Sequence, residues 1–361
     1  MLPGLIDLHT HLTADASIHG YNQLGRSAVR SALYGVHAAR RTLEAGFTTV
    51  RDLGARGYGD VALRDAIAAG EVPGPRMVVS GPSLGITGGH CDNNLLPPEY
   101  GYRAEGVADG PWAVRAQVRE NAKFGVDLIK YCATGGVLSK GTQLGGRQYT
   151  LEEMQALVDE ARTLGLRVAA HAHGTEGIKA AIIAGVDTIE HGSFLDDEAL
   201  RLALQHGTTF VMDIYVPDYV LSEGEAAGML PESLEKERKA GAAVRESFRR
   251  ATQDGARIAF GTDTGVYPHG ENARQFAYMA QYGMTAIEAI RAATVHAAAV
   301  LGWDDRVGSL APGRHADLIA VQGNPLANLR LLEDVGFVMK AGTVFVDRLS
   351  AGATPRESVR Q

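Results

Sequence analysis

The sequence has only two cysteines in 361 residues, Cys91 and Cys132. Two thiols cannot build a disulfide framework, they lack the paired spacing of a zinc knuckle, and such sparing use suits a reducing cytoplasm. Basic residues are not in excess either. Lys and Arg number 35 against 42 Asp and Glu, a formal charge of -7, so there is no stripe to follow a phosphate backbone and nucleic acid is set aside as a partner. No apolar run approaches the ~18 residues of a membrane span, and no charged start followed by a long apolar stretch marks a signal peptide. The chain reads as soluble, cytoplasmic and free of membrane contact. Proline is scarce at 13 while glycine reaches 44 without a collagen period, which speaks for many tight turns rather than disorder. With 45% hydrophobic residues the chain can bury a sizeable core, and a small molecule becomes the default partner.

What is present is an alternation of short apolar runs with helical patterns, the signature of parallel strands joined by crossover helices. Eight such units are predicted, with strands at 5–9, 47–52, 77–80, 126–131, 168–171, 188–191, 209–214 and 258–263. The helices fall at 27–45, 60–69, 112–124, 151–164, 175–184, 197–206, 232–254, 272–281 and 285–301. Most strands are too uniformly apolar for a sheet that is wet on one face. The predicted fold is α/β, a TIM-type (β/α)8 barrel over 1–302; a doubly wound open sheet is the rival that strand count alone leaves standing. Strands at 317–321, 337–340 and 344–347 form a small β appendage within 303–349, and the polar tail 350–361 is expected to fray.

The chemistry gathers at predicted strand ends. His9-Thr10-His11 closes the first strand, and period two puts both imidazoles on one face about 6.6 Å apart along it, near enough to share a metal. Alone, the pair could equally be two ordinary polar residues. Lys130, His171, His191 and Asp263 end other strands, and in a barrel those ends converge on one mouth. His171 and His173 form a second pair whose members the spacing does not separate. Lys130 follows Val126, Leu128 and Ile129 in an apolar strand, where an unpaired ammonium is costly. By itself it reads as a snorkelling or ion-paired lysine. Beside divalent cations an anionic carbamate, made from the amine and carbon dioxide, is the better form.

Taken together, His9-Thr10-His11, the 130–136 stretch KYCATGG, His171-Ala172-His173, Glu190-His191-Gly192 and Gly261-Thr262-Asp263 resemble the binuclear metal-dependent amidohydrolase superfamily. The lead-in Pro3-Gly4-Leu5-Ile6-Asp7 and the return from Gly308 to Asp317 strengthen the likeness, which runs over about residues 3 to 347. The nearer resemblance is to its prolidase-like, ochratoxinase-like and imidazolonepropionase-related branch. That resemblance implies two divalent ions, with zinc the expected metal. His9, His11 and Asp263 would hold one, His171 and His191 the other, and Lys130, carboxylated by CO2, would bridge them together with a hydroxide. Asp263 and His191 are then the catalytic residues, Asp263 taking the nucleophile's proton and passing it to the departing amine.

The implied reaction is hydrolysis of an amide in a dipeptide, an N-acyl amino acid or an aromatic acyl-amino-acid of the ochratoxin type. Opening of a cyclic amide, as in the imidazolonepropionase relatives, is the alternative, and a non-catalytic amide-binding barrel the third reading. His90, Tyr131, His173 and Tyr215 are the candidate substrate-binding residues, and the loops at 81–111, 132–150 and 215–231 should form the pocket. Leu95, Leu96, Tyr100, Tyr102, Leu138, Val216, Tyr219 and Leu230 would give it an apolar lining. His269 is a weaker candidate, and His19, His37, His206, His296 and His315 read as peripheral. Two motifs are set aside. Gly81-Pro82-Ser83-Leu84-Gly85 has the spacing of a serine-hydrolase elbow but no helix pattern after it. Residues 136–141 have P-loop spacing, but Thr142 stands where lysine is needed.

One departure accompanies the resemblance. Enzymes of this kind build a β-sandwich from segments on both sides of the barrel, yet only four residues precede Leu5. The N-terminal half of the sandwich is therefore expected to be absent, leaving an open edge. A trimmed chain or a homo-oligomer that covers the edge would account for it.

Overall fold

A computed structural model describes residues 1–349; the tail expected to fray lies outside the described residues. Parallel strands form two groups. The first holds β2 (Leu5–Thr10), β3 (Phe47–Asp52) and β4 (Arg76–Val79). The second holds β5 (Leu128–Cys132), β6 (Arg167–Ala172), β7 (Thr188–His191), β8 (Thr209–Val211) and β9 (Ile258–Ala259). Backbone hydrogen bonds cross both seams. Asp127 N–H reaches Val79 O at 2.8 Å and Leu84 N–H reaches Lys130 O at 2.8 Å, while Leu8 N–H reaches Phe260 O at 3.0 Å and Asp263 N–H reaches His9 O at 2.8 Å.

Period two sorts each strand between two apolar layers. On β5, Ile129 and Tyr131 pack outward among the helices, whereas Leu128 belongs to a separate inner cluster with Ile6, Leu8, Val78, Ala169, Val211 and Ala259. Ala297, Ala298, Leu301 and Val307 join that inner cluster from the last helix and the turn after it. Above this apolar floor the inner residues turn polar. Arg51 donates to Leu8 O at 2.6 Å, Thr188 Oγ1 at 3.1 Å and Glu190 Oε1 at 2.7 Å, with Arg51 3% and Glu190 0% exposed. Removing one partner of a buried pair strands the other charge, which costs about 3–5 kcal/mol. Arg51→Met is therefore expected to lower unfolding free energy by about that amount in urea denaturation; a loss under about 1 kcal/mol would show the pair to be dispensable.

Helices stand close to their predicted positions: Ala28–Glu44, Gly59–Ala68, Pro111–Lys123, Leu151–Thr163, Thr175–Ala184, Asp197–His206, Pro231–Gln253 and Arg274–Gln281. Thr150 and Thr285 open theirs with capping boxes, pairing with Glu153 and Glu288. Two differences bear on the site. The expected loop 215–231 contains a helix, Val216–Glu223, and the expected continuous helix 285–301 is broken by a π turn at Ala292–His296, where Ala292 O accepts from Phe260 N–H at 3.1 Å.

The last two parallel strands are shorter than the apolar runs suggest because a side chain takes over part of their hydrogen bonding. Buried Gln275 donates to Met212 O at 2.6 Å and Gly261 O at 2.9 Å and accepts from Tyr215 N–H at 3.0 Å. The chain thus leaves the ladder after β8 and β9 with these backbone groups satisfied.

The appendage is a four-stranded antiparallel sheet in the order β1 (Leu2–Pro3), β10 (Leu318–Ala320), β11 (Phe337–Lys340), β12 (Thr343–Asp347). Among the described residues it is one sheet, and Leu2 and Pro3 pair with Ile319 and Leu318. Its apolar face, with Ile319 and Val338 at 0% exposure, packs into the outer core. Arg76 fastens it through Asp317 at 2.8 Å. No helix among the described residues is long and apolar enough to cross a membrane.

Candidate metal centre

Strand alternation delivers the donors. Lys130 and His171 share the inner face with Leu128 and Ala169, one step higher on β5 and β6. His191 and Asp263 arrive differently. Both are non-glycine residues in the left-handed region, at φ 69° and 58°, a conformation that costs roughly 1–3 kcal/mol at each residue and persists where the surroundings impose it. Asp263 is held there by its own N–H on His9 O and by the chain crossing back to Thr264 and His11.

The donors form two adjoining groups. His11 Nε2 lies 3.1 Å and His9 Nε2 3.5 Å from Asp263 Oδ1, and Lys130 Nζ lies 3.5 Å from His9 Nε2. Alongside, His171, His173 and His191 bring ligand atoms within 4.8 Å of one another. The His9 and His191 rings sit 5.0 Å apart, joining the groups. Burial pushes the pKa values of His9, His171 and His173 well below the ordinary value, which keeps them in the neutral form a cation needs. Burial likewise pushes Lys130 down to about 8. For Asp263 burial pulls upward, but the hydrogen bond from His11 prevails and holds it as a carboxylate.

This donor set fits divalent cations. Among the described residues the buried His171 Nε2 has no hydrogen-bond partner, which is costly for a polar atom. Imidazoles and carboxylates at such spacing suit zinc or a neighbouring first-row ion. His191 carries the matching outer partner: its Nδ1 meets Asp213 Oδ1 at 2.7 Å. Burial opposes charging His191, and Asp213 overrides it to raise the pKa. Such carboxylates orient a ligating histidine, and losing one typically costs 10–100-fold in metal affinity. Asp213→Ala should weaken metal binding by about that factor in a competitive chelator titration; unchanged affinity would remove Asp213 from the centre.

The donors line a cavity of 360 Å³, near the small end of the ~300–1,000 Å³ usual for ligand sites. Of the expected substrate-binding residues, His90 and His173 line it. His90 stacks on His171 at 4.2 Å and bonds Ser139 Oγ through Nδ1 at 2.8 Å, and His173 Nδ1 meets Ser193 Oγ at 2.7 Å. Gly136 makes room for His90: a Cβ there would stand 2.4 Å from its ring.

Tyr131 and Tyr215 require correction. The alternation that turns Lys130 inward turns Tyr131 outward, where it is 0% exposed against Tyr149 with its hydroxyl unpartnered. Tyr215 packs edge-on to Tyr267 at 4.9 Å and its hydroxyl accepts from Arg274. Neither lines the cavity. Of the expected apolar lining, Leu95, Leu138 and Val216 are present and Tyr102 lines an adjoining lobe, whereas Tyr100 is 68% exposed. His19, read as peripheral, is 5% exposed and lines both lobes.

The cysteines also differ from expectation. Cys91 and Cys132, 41 residues apart, form a disulfide, which removes the argument for a reducing compartment drawn from their number. The bond ties the loop carrying His90 to the strand carrying Lys130. Asp213 and Glu237 went unremarked in the sequence. Asp213 sits two residues past the shortened β8; Glu237 is the one charged residue in the helical stripe Leu234, Glu237, Ala240, Val244, Phe248, Ala251, a break in pattern that could have drawn notice.

Comparison with known proteins identifies relatives over most of the chain. Ochratoxinase from Aspergillus niger is 34% identical over 369 residues, covering 96% of this chain and 75% of that protein. A Xaa-Pro dipeptidase solved with bound methionine in the active site matches with TM-score 0.88 at 40% identity, over 95% of this chain and 86% of that one. An imidazolonepropionase from Sphingopyxis alaskensis is 26% identical over 352 residues, covering 88% of this chain and 76% of that protein. A model of the amidohydrolase family matches residues 1–345, a span that includes every donor described above, and the chain therefore belongs to that family.

Proposed function

We propose that this metal-dependent amide hydrolase closes its eight parallel strands into one barrel and uses two divalent ions at the mouth, zinc the first choice, to cleave a small amide. Dipeptides and N-acyl amino acids, including aromatic acyl-amino-acids of the ochratoxin type, are the substrate classes. The observation that carries this reading is the convergence of His9, His11, Lys130, His171, His191 and Asp263 on one cavity. His9, His11 and Asp263 would hold one ion, and His171 and His191 the other; the buried His171 Nε2, without a hydrogen-bond partner among the described residues, supports that place for His171. When bound, the ions would polarise the scissile carbonyl and make the attacking water acidic.

The chain's own residues do the rest. The Lys130 amine, deprotonated part of the time near neutral pH, can attack carbon dioxide: a nitrogen–carbon bond forms, a proton leaves to water, and the product carbamate supplies two anionic oxygens between the ion sites. Asp263 accepts the proton of the attacking water and returns it to the departing nitrogen, so the amine leaves neutral. His90 and His173 are neutral donors placed to meet substrate oxygens. Asp213 keeps the His191 ring in place.

The test is a substrate panel on metal-replete protein: dipeptides, N-acyl amino acids and cyclic amides. Turnover of linear amides with release of the free amino acid is the expected result. Turnover of cyclic amides alone would transfer the reading to the imidazolonepropionase type, and tight binding of amides without hydrolysis would make the chain a binding module.

A further inference from the structure

Helix Pro231–Gln253 overhangs the cavity and turns one carboxylate into it. Glu237 is 5% exposed, and the neighbouring cavity wall is apolar, made by Val216, Pro217, Val220, Ala240 and Val244. Among the described residues no N–H, ammonium or guanidinium lies within hydrogen-bond or ion-pair distance of it. Of the cations on its helix, Arg238 and Lys239 are exposed, Lys236 donates to Ser139 O at 2.7 Å, and Arg245 donates to Asp218 and Ile214 O. Burial, with Asp213 and Asp263 nearby, pushes the Glu237 pKa up to about 8, so without a cationic partner the group stands mostly as the neutral acid near neutral pH.

Glu237 shares this cavity with His191, Asp213 and Asp263, so a group that meets it stands beside the reacting amide. A substrate amide offers two sides. The departing side ends in the carboxylate of an amino acid or dipeptide, which offers Glu237 no charge pairing. The acyl side carries an α-ammonium when the substrate is an unblocked dipeptide and carries none when it is an N-acyl amino acid.

We propose that Glu237 receives the α-ammonium of the acyl-side residue, and that this chain selects unblocked dipeptides over N-acyl amino acids. The inference rests on the amide-hydrolase reading and deepens it. A primary ammonium brings three donors to an acceptor that has none. The apolar wall around Glu237 takes the side chain of the same residue. The neutral acyl group of an N-acyl amino acid brings Glu237 no charge and no ammonium donor, so it gains nothing from this side chain.

The experiment compares alanyl-phenylalanine with propionyl-phenylalanine on the metal-loaded enzyme, two substrates that differ only by the ammonium. The native protein should favour the dipeptide by about 100-fold in kcat/KM, the scale of a lost charge-assisted bond. Glu237→Gln should bring that ratio to within about threefold of one, through a higher KM for the dipeptide with the propionyl compound little changed. Glu237→Asp should keep part of the preference. A loss confined to the dipeptide is the mark of recognition, since a packing defect weakens both. A native ratio near one, or a ratio unchanged in Glu237→Gln, would overturn the proposal.

Inhibition by 1-aminoethylphosphonate against ethylphosphonate separates this inference from the reading beneath it. Preference for the amine without any amide turnover keeps the ammonium subsite and removes the reaction; amide turnover without that preference does the reverse. Metal content and thermal midpoint of Glu237→Gln are measured alongside. Should that variant not load or fold, the native ratio and Glu237→Asp decide the question.

Discussion

Asp263→Asn is expected to lower kcat on a dipeptide by about 10³-fold, within the range supplied by a positioned acid or base, while metal content changes far less. The substitution is chosen for its backbone. Asp263 sits at φ 58°, in the left-handed region where asparagine is among the few residues at ease. It is 9% exposed, so the residue cannot relax outward. Asparagine keeps an oxygen to meet an ion and an amide group of the same shape, but it can neither accept the water's proton nor return one to nitrogen. At about 1.4 kcal/mol per factor of ten, the loss corresponds to about 4 kcal/mol of transition-state stabilisation. Stopped assays beside metal analysis check this. Full activity in the variant would remove Asp263 from proton transfer, and loss of metal in proportion to activity would make it a ligand only.

Lys130→Ala should cost as much by a different route. Burial holds the native amine near a pKa of about 8, low enough to supply the uncharged nitrogen that carbon dioxide requires. Removing the side chain withdraws the anion proposed to lie between the ion sites, so turnover should fall by about 10³-fold and bound metal from about two equivalents toward one. A short carboxylic acid such as formate or propionate can enter the space left and offer a pair of oxygens of its own. Partial recovery of both metal content and turnover with added carboxylate is the expected signature. Recovery with added methylamine, and none with carboxylate, would show that position 130 works as a cation.

Much of this was legible in local pattern. The alternation on β5 and β6 places Lys130 and His171 on one face from the sequence alone, and the spacing of His9 and His11 needs only the period of a strand. That same rule, followed one residue further, excludes Tyr131 from the cavity, because the face on which a residue falls decides its access more than its nearness to a strand end. Tyr215 failed for another reason, since the expected loop folds as helix Val216–Glu223 and its start packs on Tyr267.

What stayed hidden depends on contacts between distant segments. Gln275 ends β8 and β9 by binding the carbonyls of Met212 and Gly261 just beyond them, and no local pattern forecasts that. Cys91 and Cys132 meet only because the 81–111 loop folds back on the end of β5. Glu237 reaches the cavity because helix Pro231–Gln253 sets Glu237, Ala240 and Val244 against it, far in sequence from the strand-end donors. Asp213 reaches His191 only because β7 and β8 are neighbours in the sheet.

The central claim is that amide turnover depends on ions held by His9, His11, Lys130, His171, His191 and Asp263. The most direct measurement follows metal-to-protein ratio and dipeptide hydrolysis together, through chelation and then stepwise return of zinc. The account predicts about two equivalents in the active protein, turnover that vanishes as they are withdrawn, and recovery as they are restored. Undiminished hydrolysis by protein stripped of metal would contradict it.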